Sequence, residues 1–278
     1  MIPFIQIGGV RIWTYGLMMG LAFVAGYLLG ERQARRFGVP IPMSIFIPGL
    51  IAGGLLFGRL DHLLVVEMLA EHRTLASMSW SSFFTAGYTY FGGLLGGSIT
   101  FVACSRYYRV PMLKMLDGGA PIVSLCYAVG RIGCFLAGDG DYGQPTSLPW
   151  GMSFPHGVVP TVVRVHPSML YESAYALVIF LILWPRCRPE NYARLQHGAI
   201  FTDMLLWTGI CRFLFAFTSR NYKFFAGLTE AQLVSIGFVL AALLVKLYLR
   251  YQASHASSSL DVPSRPPSAA VAPASAGS

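Results

Sequence analysis

Of the chain's 278 residues, 55% are hydrophobic and only 12% are charged, and the mean hydropathy is +0.57. A soluble globular domain carries about 25% charged residues, so the composition excludes that class and indicates an integral membrane protein. The net charge of +8 falls in alternating loops, which makes it a topological signal and an attraction to anionic lipid, not a nucleic-acid footprint.

Seven apolar stretches approach the ~20 residues that cross a bilayer: Trp13–Leu29, Ile45–Val65, Tyr88–Cys104, Gly118–Leu136, Leu170–Trp184, Ala199–Phe217 and Leu233–Leu249. The predicted fold class is therefore an all-α integral membrane bundle of about seven transmembrane helices with a small extracytoplasmic head. One set of alternating loops holds Arg32, Arg35 and Arg36, then Arg106, Arg109 and Lys114, then Arg186, Arg188 and Arg194, then Lys246 and Arg250. The opposite set holds Arg11, Arg73, Arg164, Arg220 and Lys223. Basic residues accumulate in short cytoplasmic loops, so the N-terminus is expected outside and the C-terminus in the cytoplasm.

The first apolar stretch has no basic leader and runs into "GERQARRFG" instead of a small-residue cleavage site, so it is expected to stay as a helix. Two outward loops are long, Glu67–Gly87 and the Pro-, Gly- and aromatic-rich run from Gly138 to about Pro167, which suits an irregular head. Residues 1–253 form the expected membrane domain. The Ser/Ala/Pro-rich residues 254–278 form the expected disordered cytoplasmic tail. Five cysteines without a CxxC pair argue against a disulfide framework. No His/Cys/carboxylate cluster at ligand spacing implies a metal, and no cofactor motif appears.

Glycines four apart let transmembrane helices approach closely. "GLMMG" (Gly16, Gly20) and "GGLLFG" (Gly53, Gly54, Gly58) are expected to do this. "GGLLGG", beginning at Gly92 and Gly93, follows "YTYF", and its backbone is a candidate to admit a ligand.

Arg59, Arg131 and Arg212 lie inside expected spans, near their outward ends. A charge in hydrocarbon costs several kcal/mol and marks a functional site. A guanidinium offers five donors in a fork that fits a phosphate and cannot be neutralised by desolvation, so the three are expected to share one anion site whose natural ligand is a phospholipid headgroup. The competing arrangement pairs each arginine locally, Arg59 with Asp61 or Arg131 with Asp139. In "HPSMLYES", Pro167 suits a helix start. His166 and Glu172 can orient groups at the mouth of the site, with Tyr171 beside them, or the segment is simply a helix cap with an interfacial tyrosine.

Taken together, "WTYGLMMGLAF", "FGRLDHLL", "YFGGLLGG", "GRIGCFLAGDGDYG", "HPSMLYES" and "CRFLFAFTSR" resemble, in order, the motifs of the prolipoprotein diacylglyceryl transferases. The resemblance implies an enzyme of the bacterial inner (plasma) membrane that moves the diacylglyceryl group of phosphatidylglycerol to the lipobox cysteine of a preprolipoprotein. Its partners would be that lipid, lipoprotein signal peptides and membrane lipids. It implies phosphate binding by Arg131 and Arg212 and a lipid site lined by Tyr15, to which the residue pattern adds Arg59, Gly92, Gly93, Gly143, Tyr171 and Glu172. Asp139 and Gly143 would shape the signature loop. The sequence departs from the family pattern at Cys134, Ala137, Asp139 and Ala216, and at Phe91, where many members carry His. The proton acceptor is thus left among Tyr90, His166 and Asp139. A catalytically altered or inactive relative that binds phospholipid or lipoprotein, and a lipid or anion transporter, are the alternatives.

Overall fold

Each apolar run folds largely as a helix, and the first, third, fourth and seventh helices continue beyond the C-terminal end of their runs. The computed structural model describes residues 2–64, 89–220 and 223–260; the expected loop Glu67–Gly87 and residues 261–278 lie outside them. The long helices are α1 (Thr14–Phe37), α2 (Met43–Asp61), α3 (Tyr90–Tyr107), α4 (Met112–Ala137), α5 (Ser168–Leu183), α6 (Ala199–Phe215) and α7 (Glu230–Leu260). Arg35 and Arg36, expected in a loop, occupy the last turn of α1, and Arg106 the last turn of α3. The helices continue because cations there complement the carbonyl end of the helix dipole. Gly38, in the left-handed conformation at φ 59°, stops α1.

Five segments are long and apolar enough to cross a membrane: Met43–Leu64, Met112–Ala137, Ser168–Cys187, Ala199–Thr218 and Glu230–Ala253. The protein is a mostly helical, multi-pass membrane protein. Exposed Leu177, Val178, Leu181 and Ile182 on the outer face of α5 suit lipid, not water. The other two expected spans are helices outside this group: α1 carries four charged residues in its last two turns, and α3 has 18 residues including Arg106.

Three two-stranded antiparallel ribbons, absent from the all-α expectation, join this bundle. They are β1–β2 (Phe4–Ile7 with Val10–Trp13), β3–β4 (Met152–Phe154 with Thr161–Val165) and β5–β6 (Lys223–Phe225 with Leu228–Thr229). The ribbons lie before α1, between α4 and α5, and between α6 and α7, so all three lie at the bundle end where α4 and α6 finish. Ile2 N–H donates to Leu136 C=O at 3.3 Å, which ties the first ribbon there.

The core forms where α4, α5 and α6 meet, around Ala120, Ala128, Tyr175, Ala176, Ile179, Leu183 and Ile200, with Phe37 of α1. α1 packs on α4, α2 on α3 and α7 on α6. Lipid tails are as apolar as leucine, so close backbone approach takes over much of the task of association. "GGLLGG" serves this purpose: a Cβ on Gly92 would lie 2.4 Å from Phe57 O, and one on Gly96 2.1 Å from Gly53 O. Where the sequence reading reserves this cluster for a ligand, the structure spends Gly92 and Gly96 on α2. Gly16 and Gly20, expected at a contact, have nothing within 4 Å, because the face of α1 that meets α4 is set by Gly133 opposite Met18 and Tyr15.

At the opposite end Asp117 is fully buried. Its carboxylate accepts from Gly198 N–H (2.6 Å), Phe201 N–H (2.8 Å) and Tyr192 O–H (2.9 Å), so α4 caps the start of α6. Burial and the Asp117 charge push the Tyr192 phenol up, which keeps it a donor. Asp203 of α6 pairs with Arg186 and, at 2.6 Å, with Lys246 of α7.

Gly96→Ala is expected to destabilise the fold by about 2 kcal/mol through overpacking. Gly97→Ala, which meets nothing within 4 Å, should be neutral or gain up to about 1 kcal/mol from helix propensity. Thermal unfolding of both variants in detergent checks the contrast.

Candidate active site

The site begins where α4 ends. Gly138 adopts φ 64° and donates to Cys134 C=O at 2.9 Å, and Gly140, at φ 100°, continues the turn. Tyr142, 4% exposed, stacks on Phe154 at 4.3 Å. Its hydroxyl lies 2.7 Å from Gly138 O and 2.8 Å from Val159 O and donates to them in alternation. Burial and the charge of Asp139 push this phenol up, so it stays protonated.

The loop then threads between two helix ends. Gly143 N–H donates to His166 O (2.9 Å), His166 N–H to Gln144 O (3.1 Å) and Gln144 N–H to Thr218 O (2.7 Å). A Cβ on Gly143 would lie 2.5 Å from Thr218 O, 2.6 Å from His166 Cβ and 2.7 Å from Ser168 Oγ. Only glycine fits this seam, which fixes the start of α5 against the end of α6.

That registration brings four polar side chains together. Arg131 and Tyr127 lie one turn apart on α4, Glu172 is on α5 and Arg212 on α6. Glu172 Oε2 is 2.9 Å from Arg131 Nε and accepts from the Tyr127 hydroxyl, while Oε1 pairs with Arg212. Arg131 Nε is not aligned for a hydrogen bond, so that contact is an ion pair by proximity. Arg212 Nη1 also reaches the Tyr127 oxygen at 3.3 Å. Arg131 Nη1 donates to Asp141 at 2.6 Å and to Cys134 Sγ at 3.5 Å. The side chains of Arg131 and Glu172 are 13% and 11% exposed, whereas Asp141 is 61% exposed. Two guanidiniums therefore face one buried carboxylate, and the exposed Asp141 on Arg131 supplies the second negative charge.

A second chain of polar contacts lies alongside. Trp150 Nε1–H donates to Tyr171 Oη at 2.8 Å, and His166 Nδ1 is 3.1 Å from the same oxygen. Tyr171 packs on Phe215 with ring centroids 5.6 Å apart.

The structure joins Arg131, Arg212 and Glu172 directly and sets Gly143, His166 and Tyr171 beside them. Tyr15, 44% exposed, starts α1 opposite Gly133 and lies within electrostatic reach of Cys134, Asp139 and Arg131. Asp139 accepts the Asp141 amide at 3.3 Å, and the partner of Arg131 is Asp141, not the expected Asp139. Arg59 lies on the α2–α3 pair, 1% exposed, with His62 Nδ1 at 3.0 Å, and Asp61 instead accepts from Thr89. Gly92 and Gly93 face α2, whose Gly54 O lies 3.6 Å from a Cβ on Gly93. Tyr90 begins α3, and its side chain is outside the described residues. Ala216, 8% exposed, closes α6.

Contrary to the absence of a ligand cluster in the sequence, Cys134, Asp139 and Asp141 offer atoms within 4.8 Å of one another. The Arg131 guanidinium already contacts two of the three, so they have a cation without a metal. Sequence reasoning missed Tyr127, although it precedes Arg131 by four residues and so shares its helix face. Asp141 and Trp150 carried no comparable signal.

Fold and site together define a multi-pass membrane protein with a largely buried cluster of arginines and carboxylates at one end of its bundle. The prolipoprotein diacylglyceryl transferase model matches residues 3–248, and the chain belongs to that family. Similar relatives are named phosphatidylglycerol–prolipoprotein diacylglyceryl transferase. The one from Clostridium tetani is 29% identical over 217 residues, covering 76% of this chain and 82% of its own. That from Marinomonas sp. is 31% identical over 252 residues, covering 85% and 88%. That from Chromohalobacter salexigens is 32% identical over 260 residues, covering 89% and 92%.

Gly143→Ala is expected to open the loop seam, costing about 1–3 kcal/mol. Hydrogen exchange at the amides of Gln144 and His166 should quicken, whereas exchange in α7 should not change.

Proposed function

We propose that this chain transfers the diacylglyceryl group of phosphatidylglycerol to the thiol of a lipobox cysteine in a preprolipoprotein, releasing glycerol phosphate. The observation that carries this reading is the convergence of Arg131 and Arg212, from two helices, on a single buried carboxylate. Sulfur attacks the glyceryl carbon while the carbon–oxygen bond to phosphate breaks, so charge accumulates on the departing phosphate. Two preorganised guanidiniums stabilise that charge where water is excluded. The names of the relatives support both substrates.

In this reading α1 and α3 also cross the membrane, giving seven spans with the N-terminus outside and the C-terminus in the cytoplasm. Residues 1–253 form the catalytic domain in the bacterial plasma membrane, and 254–278 the cytoplasmic tail. The ribboned end then faces outward, where the lipobox cysteine arrives. Tyr15 lines the lipid's path beside Arg131. Gly143 and Asp139 hold the signature loop, and the Trp150–Tyr171–His166 chain borders the mouth. Arg59, Gly92 and Gly93 contribute by fixing the α2–α3 wall, and Tyr90 stands at the head of that wall.

The test uses purified protein in phosphatidylglycerol vesicles with a synthetic lipobox peptide. Glycerol phosphate release is expected together with a diacylglyceryl mass gain on the peptide. Arg131→Lys, which keeps the charge and loses the fork, should lower the rate about 10²-fold, near the loss from one anion-stabilising donor. Lipid binding without product would make the chain an inactive relative, with Phe91 and Ala216 as the departures to revert. Lipid movement across the vesicle without product would make it a transporter.

A further inference from the structure

The position of Glu172 raises a chemical problem. Its carboxylate sits between the two guanidiniums that the proposed reaction assigns to phosphate. A phosphodiester that engages both arginines must displace it. The displaced carboxylate stays in a pocket where its side chain is 11% exposed, and there it keeps the Tyr127 hydroxyl. One turn along α5, the hydroxyl of Tyr175 is buried without a hydrogen bond of ordinary geometry among the described residues, and its ring is 6.4 Å from that of Tyr127. It lies beside Tyr127 as a second hydroxyl within electrostatic reach of Glu172. A buried carboxylate deprived of its cations takes a proton readily.

We propose that Glu172 is the proton acceptor for the incoming thiol, released for that task when the lipid phosphate takes its place between Arg131 and Arg212, and that Tyr127 is the positioning residue that holds it. This deepens the reading above and rests on it.

The thiol proton passes to a Glu172 oxygen, and the sulfur–carbon bond forms at the glyceryl carbon. The carbon–oxygen bond breaks, and its electron pair stays on the phosphate oxygen. The proton then moves from Glu172 to the departing phosphate, which leaves as the glycerol phosphate monoanion, and Glu172 returns to the arginines. Coupling the base to the lipid in this way delays deprotonation of the thiol until its acceptor carbon is in place. Of the other candidates, His166 contacts Tyr171 and Asp139 accepts the Asp141 amide, and the side chain of Tyr90 lies outside the described residues. The groups facing Glu172 are Arg131 and Tyr127 from α4, Arg212 from α6 and Tyr175 on its own helix, with Asp141 behind Arg131.

The test compares wild type, Glu172→Gln, Glu172→Asp and Tyr127→Phe in the vesicle assay from pH 6 to 9. Glutamine keeps the size and polarity of the side chain but cannot take the proton. The rate at pH 7 should fall about 10²- to 10⁴-fold, the usual contribution of a general base. It should then recover about tenfold per pH unit up to the thiol pKa near 8.5, because a preformed thiolate needs no acceptor. Aspartate should keep the shape of the wild-type profile at a lower rate. Tyr127→Phe should lower kcat and leave KM for the lipid unchanged. A Glu172→Gln rate equal to wild type, or a loss equal at every pH, overturns the proposal and leaves Glu172 a structural partner of the arginines. If Glu172→Gln does not fold, Glu172→Asp with a selenocysteine peptide, already ionised at neutral pH, should match the wild-type rate; a persisting deficit overturns the proposal. Wild type that releases no glycerol phosphate sinks the transferase reading itself, an outcome distinct from all of these.

Discussion

The arrangement depends on one carboxylate shared by two arginines. Glu172 connects α5 to α4 through Arg131 and to α6 through Arg212, so the three central helices meet at a charged point within largely apolar surroundings. Removing one partner of such a buried pair typically costs about 3–5 kcal/mol, because the remaining charge is stranded. In the proposed function the same point receives the lipid phosphate. With Asp141 also on Arg131, two cations meet two carboxylates, of which only Glu172 is buried.

The surrounding elements can be understood as what keeps this geometry fixed. The Gly143 seam holds the start of α5 to the end of α6. The stacked Tyr142 and Phe154 hold the loop after Arg131. At the far end, Asp117 caps α6 from α4, so the two helices that carry the arginines are registered at both ends. In the proposed reaction such double registration would hold both guanidiniums in place for one phosphate.

Much of this was legible in the sequence because burying charge is expensive. Arg131 and Arg212 stand out in apolar runs, and Glu172 opens another, so each declares itself without reference to the fold. Their convergence was legible only as an expectation, and Arg59, the third arginine of the same kind, sits on a separate helix pair. The partner of Arg131 was not legible. Asp139 and Asp141 are equivalent in the sequence, and the positive-φ turn at Gly138 and Gly140 decides which one turns back. The Asp117 cap acts across 81 residues, beyond any local pattern. The ribbons have strands of two to five residues, too short for alternation to show. The glycine clusters look alike on paper, yet Gly96 is in tight contact and Gly16 is open, because spacing alone does not say which helix face has a neighbour.

The measurement that bears most directly on the central claim is a structure of the protein with a phosphonate analogue of phosphatidylglycerol that cannot be cleaved. The account predicts headgroup oxygens within hydrogen-bond distance of both Arg131 and Arg212, with Glu172 withdrawn from between them and still bonded to Tyr127. A headgroup bound elsewhere, with Glu172 still bridging the two guanidiniums, would contradict it.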